Sequence, residues 1–181
     1  KGEFTARSKM SHINQIQEEL RQIEGGRFQT LANQYLYRKY SLNNIIELGS
    51  QCGTDKTTTG VPDMYSVEEN RHYLFAAYTT SNSDIRNKLL NDAKDCLDRS
   101  KTGIDPQLID RIILCHTHFR LSPLVLEEVC DIDPRIEIIG PETIASDLDR
   151  KYPALAHTVL GVPLGKGSFI APDRFIERSL N

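Results

Sequence analysis

The sequence lacks several features that would place it in a protein class at once. No stretch approaches the 18 or so consecutive apolar residues that a membrane-spanning helix requires. The four cysteines show no Cys-x-x-Cys spacing, which favours reduced thiols in a cytoplasmic protein over disulfides or a zinc site. There is no phosphate-binding loop motif and no glycine pattern of a dinucleotide site, so nothing supports a small-molecule α/β domain.

Basic residues are also in the minority. The chain has 22 lysines and arginines against 25 aspartates and glutamates, a net charge of −3. Nucleic-acid binding normally requires clustered basic residues, whereas a net-negative domain suits carboxylates that bind a metal ion. Residues 1–9 precede Met10, a natural start, and look like a segment encoded by a cloning vector. We therefore predict a single domain over residues 10–181, part of a longer protein and large enough to bury a core without disulfides.

Hydrophobic periodicity predicts an alternation of helices and strands. Two amphipathic helices come first, at 11–24 and 27–40, separated by a glycine pair that ends the first helix. Strands are then expected at 44–48, 63–67, 72–79, 111–115 and 135–139, and helices at 84–99, 122–129 and 141–150. The order implies parallel crossovers joined to an antiparallel hairpin, hence an α/β domain with a mixed sheet flanked by helices. Proline and glycine recur after residue 152, and that region carries no assignment.

The segment around the hairpin carries the most specific pattern. The residues GVPD at 60–63 are followed, after a charged turn, by the apolar strand YLFAAYTT at 73–80. Together with the two preceding helices, this run resembles the PD-(D/E)XK nuclease superfamily, which has the restriction-endonuclease-like fold. It is similar to a bacterial subgroup with the pattern Gly-Thr-Pro-Asp and a strand that ends in Glu-Tyr-Thr-Thr. Domains of that subgroup often lie at the N-terminus of large multidomain proteins, including anti-phage NTPases.

The resemblance implies an endonuclease that uses Mg²⁺ or Mn²⁺ to hydrolyse DNA, as the effector of a bacterial defence system. Asp63 matches the motif aspartate, which binds the metal. Ala77 stands where the family has its second acid, and Thr79 stands where most members have lysine, a position at which the subgroup itself departs. Gln29, in the second helix, matches the helical residue that completes the site, and Glu24 is a neighbouring candidate.

Ala77 is the departure that matters most for the chemistry. Two carboxylates on adjacent strands hold a divalent cation, which lowers the pKa of a bound water and stabilises the developing charge. With Asp63 alone, metal affinity and hydrolysis should both fall severely. Two explanations stand side by side: Ala77 is an engineered replacement of glutamate, or the domain is naturally degenerate and binds nucleic acid or a protein partner without cutting.

Several of these residues also fit simpler interpretations. Lys56, in the loop rich in glycine and threonine, either contacts a phosphate or is a solvated lysine. Asp63 also fits a turn after proline, Gln29 a solvated helix face, and Thr79 a purely structural strand end. In the helix at 84–99, lysines alternate with aspartates, which favours an ordinary charged surface over a basic face. Besides DNA, the partners considered are further domains of the full-length protein and a second copy of the chain, and no membrane partner is expected.

Overall fold

A five-stranded sheet lies between two layers of helices in the computed structural model, which describes residues 10–48 and 61–164. The strands are β1 (Ile46–Glu47), β2 (Met64–Val67), β3 (Tyr73–Thr79), β4 (Ile109–His116) and β5 (Ile136–Ile139). The helices are α1 (His12–Gln22), α2 (Gly25–Lys39), α3 (Ile85–Leu97), α4 (Arg99–Thr102), α5 (Pro123–Cys130), α6 (Pro141–Arg150) and α7 (Pro153–Leu160), with a single 3-10 turn at Pro106–Leu108.

The strands lie side by side in chain order, and the sheet is mixed. β1, β2 and β3 pair antiparallel, whereas β3, β4 and β5 pair parallel through helical crossovers. The predicted α/β class with a mixed sheet is therefore confirmed. The narrower prediction of a restriction-endonuclease-like fold stays a prediction.

Besides the short helix α4 and the 3-10 turn, which were not expected, two segments differ from the expectations. The glycine pair does not end the first helix, because Gly25 and Gly26 are the first residues of α2. The N–H of Phe28 donates to the carbonyl of Glu24 at 2.8 Å, which closes the first turn there. Helix α7 was not expected at all, although its proline start and the left-handed Gly161 after its end (φ 71°) are ordinary helix signals. No helix in the described ranges has the length and apolarity to cross a membrane.

Strand β3 contributes to the core on both faces of the sheet. Successive side chains of a strand point to opposite faces, so Leu74 and Ala76 pack with α1, α2, α6 and α7. Phe75 and Ala77 pack on the other face against α3 and α5. Burial on both faces explains why the sequence of this strand is almost continuously apolar.

A buried carboxylate on α6 connects this helix to α2 through hydrogen bonds. Asp147 accepts hydrogen bonds from the Tyr35 hydroxyl at 2.6 Å, from Lys39 Nζ at 2.9 Å and from Lys151 Nζ at 2.9 Å. Burial raises the pKa of Asp147, but the three donors outweigh burial and lower that pKa to about 2. The negative charge of Asp147 is therefore stabilised by two ammonium groups and one hydroxyl group.

We expect Asp147→Asn to lower the free energy of unfolding at neutral pH by about 1–3 kcal/mol, because two ammonium groups lose a charged acceptor. A folded pKa below the ordinary value means that the contribution of Asp147 is present above about pH 4 and is lost as pH falls to about 2. Urea unfolding at several pH values measures both effects. Asp131→Asn, an exposed control, should change stability little. Equal losses in the two variants would contradict this account.

Candidate functional site

A cleft of about 860 Å³ opens where the hairpin of β2 and β3 meets α2 and α3. Its walls come from the start of α2, from the strand ends around Asp63 and Tyr78, and from the helical region that begins with α3. The charged side chains on these walls are Asp63, Lys88, Asp92, Asp95 and Lys101. The cleft therefore combines carboxylates with ammonium groups at the point that the resemblance singles out.

Asp63 lies immediately before β2 and is fixed there by main-chain hydrogen bonds on both sides. Its N–H donates to the carbonyl of Ala76 and its carbonyl accepts from the N–H of Leu48, each at 2.9 Å. Its Oδ2 accepts from the backbone N–H of Tyr78 at 2.7 Å. Burial raises the pKa of Asp63; the hydrogen bond from Tyr78 opposes this rise and the charge of Asp92 adds to it.

The hairpin brings Asp63 close to Ala77. The pairing of β2 with β3 begins at Met64 and Ala76, and Asp63 precedes it. Asp63 bonds to the two residues that flank Ala77, through its N–H to the carbonyl of Ala76 and through its Oδ2 to the N–H of Tyr78. Ala77 is only 2% exposed and belongs to the apolar cluster beneath α3, so its methyl group offers no ligand and does not line the cleft.

Thr79 is also buried, and its hydroxyl is bonded to the buried carboxylate of Asp92. Thr79 Oγ1 donates to Asp92 Oδ2 at 3.1 Å, and Lys88 Nζ donates to Asp92 Oδ1 at 2.5 Å. Asp92 is 2% exposed. Burial raises the pKa of Asp92, while the hydrogen bonds from Lys88 and Thr79 act in the opposite direction. Thr79 thus lies behind the cleft wall and holds a group that faces the cleft.

Lys88 and Asp92 are the site residues that the sequence analysis missed. The interpretation of their helix as an ordinary charged surface is wrong for Asp92, because that side chain is buried. The signal was present in the spacing: Asp92 lies three residues after Leu89, on the stripe that α3 turns towards the sheet. The spacing of four between Lys88 and Asp92 also permits the ion pair.

The remaining predicted residues have different positions. Gln29 lines the cleft from α2 and is 8% exposed, so it is not on a solvated helix face. Glu24 precedes α2, is exposed, and is not part of the cleft wall. Lys56 lies outside the described residues. The structure therefore puts Gln29 and Asp63 on the wall of one cleft, whereas Ala77 and Thr79 are buried on β3 and do not line it.

The donors present do not fit the metal ion that the resemblance implies. Within residues 10–48 and 61–164, no group of three or more histidine, cysteine, aspartate or glutamate side chains is arranged to hold a metal ion. The nearby carboxylates already have partners, since Asp63 accepts from Tyr78 and Asp92 accepts from Lys88 and Thr79. A hard cation such as Mg²⁺ or Mn²⁺ requires several oxygen ligands at once. The resemblance puts the second carboxylate at position 77, where this chain has alanine.

Comparison with known proteins does not assign this chain to a family. No protein-family model matches this chain, and neither a curated protein nor a solved structure matches it. The nuclease interpretation consequently depends on the motif residues and on the geometry described above.

We expect Asp63→Asn to stabilise the protein at neutral pH. An amide oxygen still accepts from the Tyr78 N–H, while the cost of burying a charge and the repulsion from Asp92 are removed. Because the folded pKa of Asp63 is raised, the folded state binds more protons, and stability falls as pH rises from about 4 through that pKa. The substitution should flatten this decline, measured as the melting temperature between about pH 4 and pH 7.

Asp95→Asn is the matched control for this experiment. Asp95 lies on the same cleft wall, but it is paired with Lys101 Nζ at 2.5 Å and is partly exposed. Its loss should leave stability unchanged or slightly lower. A lower melting temperature for Asp63→Asn than for Asp95→Asn at neutral pH would contradict the conclusion that the ionised Asp63 destabilises the folded protein.

Proposed function

We propose that the cleft is the site of a DNA phosphodiesterase in which a carboxylate at position 77 completes the metal ligands. With Ala77 in place, the protein binds nucleic acid and does not cut it. The single observation that carries the proposal is that Asp63 bonds to the backbone of Ala76 and Tyr78, the two residues that flank Ala77 on β3. A glutamate at position 77 would extend from backbone next to Asp63, so that one divalent ion could contact both carboxylates.

Two further groups support a phosphodiester as the substrate. Lys88 is about half exposed while its Nζ is bonded to Asp92, so it can approach a phosphate oxygen without leaving its partner. The resemblance aligns Thr79 with the motif lysine, and its hydroxyl donates to Asp92. Lys88 therefore supplies an ammonium group next to the position where the motif lysine is absent. The metal, when bound, would supply a more acidic water and stabilise charge on the phosphate.

A non-catalytic module for nucleic acid or a protein partner is the second candidate. The observation that favours it is that the carboxylates of Asp63 and Asp92 are already hydrogen-bonded to protein donors. Under this proposal the apolar side chain at position 77 is native, and no single substitution there creates hydrolysis. The two candidates therefore differ in the outcome of one experiment.

The deciding experiment is cleavage of supercoiled plasmid DNA in Mg²⁺ or Mn²⁺ by the protein with Ala77 and by Ala77→Glu. We expect cleavage by the glutamate form only. Ala77→Gln, which has the same size without the charge, should not cut. Adding Asp63→Ala to the glutamate form should reduce cleavage by more than about 100-fold, since even loss of an outer-shell partner costs about 10–100-fold in metal affinity or activity.

The fold of each variant must be checked in the same buffers. A buried glutamate beside Asp63 should lower the melting temperature in EDTA, and Mn²⁺ should restore it in the glutamate form alone. If a folded Ala77→Glu protein binds Mn²⁺ but leaves the plasmid intact, the binding module is the better account. If the protein with Ala77 cuts at the same rate, position 77 is not a ligand position.

A further inference from the structure

One carboxylate of the cleft has no cationic partner. Asp92 is paired with Lys88 and Asp95 with Lys101, each at 2.5 Å, so these two pairs add no net charge to the walls. Asp63 lines the same cleft, and its carboxylate forms no ion pair with a lysine or arginine of the described ranges. The cleft therefore carries a net negative charge that is located at Asp63.

One oxygen of this carboxylate remains accessible. Oδ2 of Asp63 accepts from the Tyr78 N–H at 2.7 Å. In residues 10–48 and 61–164, the buried side-chain atoms without a hydrogen-bond partner are nitrogens of His12, Gln29 and Asn33, and none is a carboxylate oxygen. Oδ1 of Asp63 has no donor within those ranges and is consequently not closed off from solvent. A donor that enters the cleft can reach it.

The protein environment disfavours the ionised form of Asp63. Burial raises the pKa of this carboxyl, the Tyr78 hydrogen bond opposes the rise, and the charge of Asp92 adds to it. Lys88 lowers the pKa of Asp63 by less than Tyr78 does, and its ammonium group is bonded to Asp92. A cationic ligand at Oδ1 would therefore offset a repulsion that the protein itself leaves in place.

Apolar side chains surround this charge. Leu48, Val61 and Pro62 line the cleft together with the rings of Phe28 and Tyr78. Leu48 is 50% exposed, a large fraction for a leucine. A cationic head that bonds to the carboxylate and an apolar stem that covers this wall would match the cleft. Arginine and lysine side chains have this construction.

A guanidinium group suits the site better than a metal ion or an ammonium group. Mg²⁺ requires several oxygen ligands, and alanine at position 77 supplies none, whereas a guanidinium group forms strong hydrogen bonds to one carboxylate. The guanidinium group is weakly hydrated and stays protonated when it is removed from water. An ammonium group is strongly hydrated and loses its proton more readily on burial. Arginine is also enriched among the residues that contribute most to protein interfaces.

We propose that the cleft binds an arginine side chain of a protein partner, which donates from its guanidinium group to Asp63 Oδ1 and packs its methylene stem against Leu48 and Val61. This proposal rests on the second candidate function, the non-catalytic module, and does not require nuclease activity. It adds the chemistry of the partner to that function.

The test uses a labelled, neutrally capped peptide Ala-Ala-Arg-Ala-Ala and the full chain in EDTA, with fluorescence anisotropy as the readout. Citrulline in place of arginine keeps the shape and removes the charge, and it should weaken binding by about 10-fold or more. Asp63→Asn should weaken binding of the arginine peptide by a similar factor. Asp131→Asn, the same charge change at an exposed position outside the cleft, should change it less than about twofold.

A second variant tests the apolar wall. Leu48→Ala shortens a half-exposed side chain and should weaken the arginine and citrulline peptides by the same factor, about threefold. Melting temperatures of all variants check the fold, and the arginine peptide should raise that of the unsubstituted protein but not that of Asp63→Asn. Equal binding of the arginine and citrulline peptides, or undiminished binding by a folded Asp63→Asn protein, would overturn the proposal.

A further comparison identifies the source of the guanidinium group. From a library of arginine-centred peptides with random flanking residues, we expect members that bind at least about 10-fold more tightly than N-acetylarginine amide. If no member does so, the site belongs to a small guanidinium compound and the protein partner is rejected. The plasmid experiment with Ala77→Glu decides separately between the nuclease and the module, so the failure of one proposal is distinguishable from the failure of the other.

Discussion

The antiparallel pairing of β2 with β3 is the constraint on which the candidate site depends. A slip of one residue would move every side chain of a strand to the other face of the sheet, and Met64 holds the register because it is fully buried beneath α1 and α2. With that register fixed, Asp63 bonds to Ala76 and accepts a hydrogen bond from the N–H of Tyr78, on either side of Ala77. β3 then pairs with β4 and packs under α3, which brings Asp92 to the same cleft.

The carboxylates that the fold removes from solvent are of two kinds. Asp147 has three donors, and its pKa lies below the ordinary value, as expected for a group that holds two helices together. Asp63 and Asp92 have raised pKa values, because burial, together with repulsion from Asp92 on Asp63 and from Asp95 on Asp92, outweighs the donors available. Carboxylates that a fold keeps at a cost in stability are commonly found at functional sites. The opposite directions of these pKa shifts distinguish the carboxylates of the cleft from Asp147, which has a structural role on α6.

The sequence was sufficient for the parts that depend on local pattern. Alternation and apolar runs predicted the hairpin, the central strand and the mixed sheet, and the Pro-Asp pair located Asp63 at a strand end. Asp92 was missed because a charged residue on an amphipathic helix was assumed to face solvent, although it lies on the buried stripe of α3. The sequence could not show that the buried Nε2 of Gln29 has no hydrogen-bond partner, because this depends on how α2 packs against the sheet.

The central proposal is that Asp63 binds a divalent metal ion only when position 77 carries a carboxylate. Line broadening of backbone amides by Mn²⁺, followed by NMR in the protein with Ala77 and in Ala77→Glu, tests this claim most directly. The account predicts broadening at Asp63, Tyr78 and Thr79 in the glutamate form and no selective broadening there with Ala77. Equal broadening at these amides in both proteins, or broadening of the glutamate form only at distant residues, would contradict it.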